Sequence, residues 1–249
     1  MRGVGFWQAN TTLSTPCIFR WVAGYNVLRI LDDPERGCWI DVQSPYLDAA
    51  EADQLLVELI SLPWQRPLTR GIAPRRGTLW FAAGPAHVYR FSGHDWRPQP
   101  MRPGLSALAV ALSSVVECQL NSVLATYYSD GAAGVAWHDD DDFPGARLWP
   151  IALVSLGAAR RLAFRVKGES PEGAHVDLES GSLLMMGVAT QRYYQHAVRP
   201  TSRAVGPRVS LSFRPFSACY RGRCRRTPGD SRPGRPAPLA ALEASTILL

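Results

Sequence analysis

The chain has 249 residues, 46% of them hydrophobic and 19% charged, a balance that suits one large globular domain or at most two. No apolar run approaches the roughly 18–20 residues of a membrane span, and the opening MRGVGFWQANTT lacks the apolar core and cleavage site of a signal peptide, so neither a spanning helix nor a secretory leader is expected. The net charge of +6 does not by itself point to nucleic acid: the segment from Ser217 onward carries +4 of it, and every basic residue except Lys167 is arginine, as a GC-rich genome would also produce.

In chain order, residues 1–37 are poorly patterned and are expected to form a variable N-terminal extension. Asp48 then opens a predicted helix, DAAEADQLLVELISL. Its carboxylate can cap free amides, Glu51 stands three residues on, and Leu55, Leu56, Leu59 and Ile60 share one face. A second helix follows Pro103, with Leu105, Leu108, Leu112, Val115 and Val116 at helical spacing. After Gln119 the period changes. LNSVLATYY, PIALVSLG, RRLAFRVK, SLLMMG and RVSLSFRPF are short segments rich in β-branched and aromatic residues, separated by Gly, Pro and Asp turns. Helices first and strands afterwards predict an α+β protein built on a β-sandwich or jelly roll. The folded domain is expected over 38–217, and 218–249, rich in Arg, Pro, Gly and Ser, as a basic disordered tail. Five widely spaced cysteines without a CxxC pair (Cys17, Cys38, Cys118, Cys219, Cys224) read as reduced thiols of a soluble intracellular protein, cytoplasmic, or nuclear in a eukaryote.

The stretch WHDDDDFPG (137–145) places four aspartates directly after a histidine. Adjacent carboxylates hinder one another's ionisation, so the run is either a solvated acidic loop or a place where a cation sits. Residues two apart on a strand face the same way, which brings His138 and Asp140 to one side and sends Asp139 and Asp141 elsewhere. An imidazole and a carboxylate lack one further ligand to form the facial triad that binds non-haem Fe(II) and leaves positions open. His196, in RYYQHAV just before the last strand, is the candidate; His87, His94 and His175 lie in loop contexts and are expected at the surface.

In the final segment RVSLSFR, Val209, Leu211 and Phe213 face one way, and Arg208, Ser210, Ser212 and Arg214 the other. Two readings stand. On an inner face the two arginines need anionic partners, because unpaired buried charge is expensive, and a dicarboxylate such as 2-oxoglutarate would supply one carboxylate to each. On an edge strand they would simply be solvated.

Taken together, NSVLATYYSDG, WHDDDD, PIALVSLGAARRLAFR, SGSLLMMGVATQRYYQHAV and PRVSLSFR resemble the AlkB family of Fe(II)/2-oxoglutarate dioxygenases, which repair alkylated nucleic-acid bases by oxidative dealkylation. PWQR, APRRGTLWF and VYRFSG are similar to that family's nucleotide-recognition region, and the whole is nearest its eukaryotic-type branch acting on DNA and RNA. The resemblance runs from about Pro45 to Phe216. It implies a double-stranded β-helix (jelly roll) core with N-terminal supporting helices. It also implies His138, Asp140 and His196 as Fe(II) ligands, with O2 as the second cosubstrate. By the same resemblance Tyr128 and Arg208 hold the distal carboxylate of 2-oxoglutarate, and Arg214 helps bind its chelating end. Asp142 would line the base pocket where the family usually has Glu, with Trp80 and Tyr89 near aromatics that pack on the flipped base.

Thr126 and Ser210 stand where the family commonly has Asn beside 2-oxoglutarate, keeping a hydroxyl but losing an amide's reach. The implied partner is alkylated DNA or RNA of the 1-methyladenine or 3-methylcytosine type, acted on by a monomer without a membrane. The alternatives are the same oxidation on a protein side chain, and an inactive nucleic-acid-binding relative. Single-stranded substrate is expected, because RPLTRGIAPRR (66–76) offers only Leu68 and Ile72 as an apolar wedge; the stretch LWFAAG, taken as a loop, is the other place for one.

Overall fold

The computed structural model describes residues 26–68, 71–141, 149–170 and 173–216. Both predicted helices form, and for the predicted reasons. α1 (Ala49–Ile60) is capped by Asp48: the Glu51 amide donates to its carboxylate at 2.8 Å, and the Asp48 amide donates back to the Glu51 carboxylate at 3.3 Å. α2 (Pro103–Val116) starts on proline, buries Leu105, Leu108, Leu112, Val115 and Val116, and stops where Glu117 turns to a φ of 50°.

The strands are β1 (Val27–Asp33), β2 (Cys38–Gln43), β3 (Gly77–Ala82), β4 (Tyr89–Phe91), β5 (His94–Trp96), β6 (Gln99–Pro100), β7 (Ser122–Tyr128), β8 (Val135–His138), β9 (Ile151–Gly157), β10 (Arg160–Val166), β11 (Ala174–Leu178), β12 (Ser182–Met186), β13 (Tyr194–Val198) and β14 (Arg208–Arg214). A one-turn helix, α3 (Thr190–Tyr193), joins β12 to β13. One sheet of eight strands runs β1-β2-β12-β9-β14-β7-β3-β6, a second of four runs β11-β10-β13-β8, and β4 and β5 pair as a hairpin. All pairings are antiparallel except that of β3 with β6.

Strand alternation sorts the core into two layers. One face of the large sheet (Leu79, Phe81, Val123, Val154, Val209, Leu211, Phe213) packs on Leu59, Leu105 and Leu112 of the helices. The other (Ile40, Val42, Tyr128, Leu153, Leu184) packs on Leu162, Phe164 and Val198 of the small sheet. The expected jelly roll with supporting helices is present, and the space between its sheets is where the polar side chains of β14 point.

Three expectations need correction. The domain does not begin at residue 38, because β1 lies within the supposed extension and pairs with β2 across Val27–Gln43 and Asp33–Cys38. Its apolar residues, Val27, Leu28, Ile30 and Leu31, do not alternate with polar ones and the register shifts between Arg29 and Leu31, so VLRILDD does not read as a strand. Strands do not all follow the helices either: six precede or separate them. The stretch LWFAAG is no loop, since Leu79 to Ala82 lie in β3 with Trp80 and Phe81 at 1% and 0% exposure. The tail, 217 onward, lies outside the described residues.

Gly157 ends β9 opposite Arg208, at a φ of +85°, where a Cβ would run into the carbonyl oxygen of Pro207. Gly157→Ala is therefore expected to destabilise the fold by more than about 1 kcal/mol, seen as a lower urea midpoint with unchanged slope. An unchanged midpoint would show that the entry to β14 gives way freely.

Candidate metal centre

The small sheet brings the two histidines together. β8 and β13 pair antiparallel with His138 opposite His196, and the ring centroids are 4.2 Å apart. His196 thus sits within a strand of its own, not in the approach to the last one. Asp140 follows two residues after His138 and turns to the same side. The three residues each offer a ligand atom within 4.8 Å of the others. His138 Nδ1 donates to the Ala136 carbonyl at 2.9 Å, which leaves its Nε2 lone pair for a metal. Asp140 and His196 are buried and His138 is half-buried, so the cluster is closed behind and open in front.

Charge at the cluster is set by Arg214, whose Nη2 donates to Asp140 Oδ2 at 2.6 Å; His196 Nε2 lies 3.8 Å from the same oxygen. Burial opposes ionisation of Asp140, but Arg214, followed by His196 and His138, holds its pKa well below the usual carboxylate range. Burial, with His138 adding to it, pushes the His196 imidazole down to about 3. His196 is thus neutral at physiological pH, with a lone pair to offer. Two imidazoles and one carboxylate form the donor set of a facial triad, and this arrangement fits Fe(II). The neighbouring aspartates do other work: Asp139 pairs with Lys167 at 2.9 Å and accepts the Asp141 amide at 3.2 Å. Asp142 lies outside the described residues.

β14 is central, between β9 and β7, which overturns the edge-strand reading of its arginines. Arg208 and Arg214 are 1% and 2% exposed. Arg208 lies opposite Tyr128 on β7, its guanidinium 5.1 Å from that ring's centroid, and its Nε donates to Ser155 Oγ at 3.0 Å. Its Nη1 is buried with no hydrogen-bond partner among the described residues. Burial lowers the Arg208 pKa, so the site calls for an anion that would restore the charge's solvation. Thr126 and Ser210 face each other in register on the same side, between Arg208 and the metal cluster. The two arginines are six residues apart, about 20 Å along the strand, so Arg214 stands at the Asp140 end of this strand face and Arg208 at its other end.

Two residues of the site escaped sequence reasoning. Arg160, 4% exposed, donates to the carbonyls of Asp130, Gly131, Ala133 and Arg199, and its guanidinium lies 5.7 Å from the Tyr128 centroid on its own account. Alternation along RRLAFRV, which points Arg160 inward with Leu162 and Phe164, was the available signal. Gln191, whose Oε1 accepts the Asp140 amide at 3.0 Å, gave none. Trp80 and Tyr89 are placed together, 5.2 Å between centroids, but at 1% and 2% exposure neither has a face open to a base. His87, expected at the surface, is half-buried against Phe216, and burial lowers its pKa. His94 and His175 do lie outside the cluster.

A family model described as the 2OG-Fe(II) oxygenase superfamily matches residues 42–214. Over 148 residues the chain is 36% identical to the "DNA oxidative demethylase ALKBH2" of Homo sapiens, covering 57% of this chain and 56% of that protein. Over 186 residues it is 32% identical to the "Alpha-ketoglutarate-dependent dioxygenase alkB homolog 3" of Mus musculus, covering 68% and 63%. The chain thus spans less than two thirds of the length of these curated relatives.

Replacing His138, Asp140 or His196 by Ala is expected to abolish tight divalent-metal binding, since each removes one of three ligands. Calorimetric titration with Mn(II) checks this, and wild-type affinity in any variant removes that residue from the set. Arg208→Ala is expected to raise the 2-oxoglutarate concentration needed for half-maximal turnover roughly ten- to hundredfold, the loss of a charge-assisted contact of about 1.5–3 kcal/mol. An unchanged requirement would show that Nη1 has no carboxylate partner.

Proposed function

The chain belongs to the 2OG-Fe(II) oxygenase superfamily, in its AlkB family, and from that premise we propose that it removes N-alkyl groups oxidatively from bases in DNA or RNA, of the 1-methyladenine and 3-methylcytosine type. The observation that carries the reading is one polar strand face that sets Arg214 against Asp140 of the His138–Asp140–His196 cluster and places Arg208, whose buried Nη1 has no hydrogen-bond partner among the described residues, six residues away.

In this reading Fe(II), 2-oxoglutarate and O2 supply the oxidation, which no side chain can perform. His138, Asp140 and His196 hold the metal. Arg208 and Tyr128 take the distal carboxylate, with the Thr126 and Ser210 hydroxyls beside the chain of the cosubstrate. Arg214 keeps Asp140 ionised and in place next to the chelating end. The packed ring pair Trp80 and Tyr89 would support the wall of the base pocket from behind. The hydroxylated alkyl group then leaves as an aldehyde, returning the unmodified base.

A groove of about 450 Å³, lined by Arg75, Arg76, Trp137 and Arg199, runs along β8. β8 is the outer strand of its sheet and ends on His138. Arginines beside an aromatic suit a sugar–phosphate strand, which supports nucleic acid over a protein substrate. An inactive binding relative is disfavoured by the intact cluster. We propose a monomer that prefers single strands. Leu68 and Ile72 are 61% and 74% exposed but not consecutive, and Trp80 and Phe81 are locked in β3, so among the described residues of 66–84 no exposed aromatic or consecutive apolar pair stands ready to fill a duplex gap.

Mass spectrometry of demethylation is the test, on oligonucleotides carrying 1-methyladenine or 3-methylcytosine. Loss of the methyl group coupled to succinate formation is expected, and turnover only with a non-nucleic-acid substrate would overturn the reading. With one lesion in one sequence, the initial rate is expected to be higher single-stranded than annealed. A faster duplex would assign the wedge to Leu68 or Ile72.

A further inference from the structure

We propose that Gln191 is a positioning residue for the metal centre, its side-chain oxygen holding the backbone of Asp140 to the turn that launches His196. The inference rests on the reading of His138, Asp140 and His196 as metal ligands, but its evidence lies outside that set.

β8 ends at His138, so the amide of Asp140 has left the ladder and needs another acceptor. It finds one in Gln191 Oε1 at 3.0 Å, in a buried contact between residues 51 apart in sequence. Gln191 is 1% exposed, and its Nε2 points at Met186 Sδ at 3.3 Å. Thioether sulfur is a weak acceptor, so this glutamine is poorly repaid for burial except through its oxygen. The reverse orientation of the amide would set two donors face to face at Asp140, which fixes the oxygen there.

The turn that carries Gln191 is itself anchored. Thr190, 2% exposed, donates Oγ1–H to the Trp39 carbonyl at 3.1 Å, and the Gly187 amide donates to the same carbonyl at 2.9 Å. Just beyond α3, the Tyr194 hydroxyl donates to Asp33 Oδ2 at 2.8 Å. α3 is thus tied to β2 and to the end of β1. Two residues after Tyr194 stands His196. One turn of chain therefore sets the third ligand through the backbone and the second through a side chain. Gln191 joins the two halves of a ligand set that the sequence keeps 56 residues apart, Asp140 from His196.

A core-filling glutamine and a positioning one are separated by isosteric substitution. Gln191→Met keeps the length and removes the acceptor; Gln191→Glu keeps an acceptor oxygen. Mn(II) affinity is measured by calorimetry on the full metal-free chain, together with hydrogen exchange of the Asp140 amide. Gln191→Met is expected to bind Mn(II) ten- to hundredfold more weakly, on the order seen when the support of a ligand is lost, and to exchange the Asp140 amide faster. Gln191→Glu is expected to stay within about threefold of wild type, and the 2-oxoglutarate requirement at saturating metal to be unchanged in both. Gln191→Asn, which withdraws the oxygen by one methylene, guards against a misfolded Met variant and is expected to lose affinity too. Wild-type Mn(II) affinity in a folded Met or Asn variant overturns the proposal. Failure of the wild-type chain to bind Mn(II) would instead sink the metal-centre reading, and this inference with it.

Discussion

A carboxylate held between two β-sheets stays ionised only where positive charge is fixed beside it, and here that charge is Arg214, 2.6 Å from Asp140. Removing both groups from water is costly, and the pair by itself is weak evidence for stability. Its use is local. It keeps an anionic donor ready beside the His196 imidazole, which burial keeps neutral, and the half-buried His138 ring, with the three ligand atoms already within 4.8 Å of one another. The cation in turn would relieve the crowding of like charge along Asp139, Asp140 and Asp141, part of which Lys167 already offsets.

The same strand that delivers Arg214 delivers Arg208, and this ties the polar face of that strand to the core. Val209, Leu211 and Phe213 are fully buried against the helical layer. β14 therefore cannot slip by one residue without driving two arginines into that core and turning three apolar side chains onto the polar face. The apolar face of β14 fixes the register of its polar face. Arg160 adds a second constraint by fastening the segment after Tyr128 to the exit of β13 through four carbonyls. The two sheets are thus joined at the Tyr128 end by Arg160 and at the metal end by Arg214 and Gln191.

Family membership and the geometry of this chain support the same chemistry from independent directions. The match over 42–214 speaks for the scaffold and cofactor class. Thr126 and Ser210, which depart from the pattern this chain resembles, lie opposite each other across one strand pair. Two shortened side chains at facing positions leave more room on this strand face than two amides would, while keeping hydroxyl donors.

By itself the sequence determined what local pattern can determine. Asp48 and Glu51 announce a cap because both partners lie within one turn. The apolar spacing after Pro103 announces a buried helix face, and the alternation in RVSLSFR sorts arginines from aliphatics. The HxD spacing places His138 and Asp140 on one side, and the resemblance of five ordered segments names their company. Features whose partners lie far away in the chain were decided only by the tertiary structure. Whether β14 was central or an edge depended on β9 and β7, and β1 was legible as a strand only once β2 paired with it. Trp80 looked available until β3 was seen to be covered on both faces, and Gln191 looked no different from Gln195 until Asp140 was set against it. The physical reason is common to these cases. Caps and strand alternation are settled by bonds and sterics within a few residues, whereas burial, edge position and a hydrogen bond across 51 residues exist only after the chain has closed on itself.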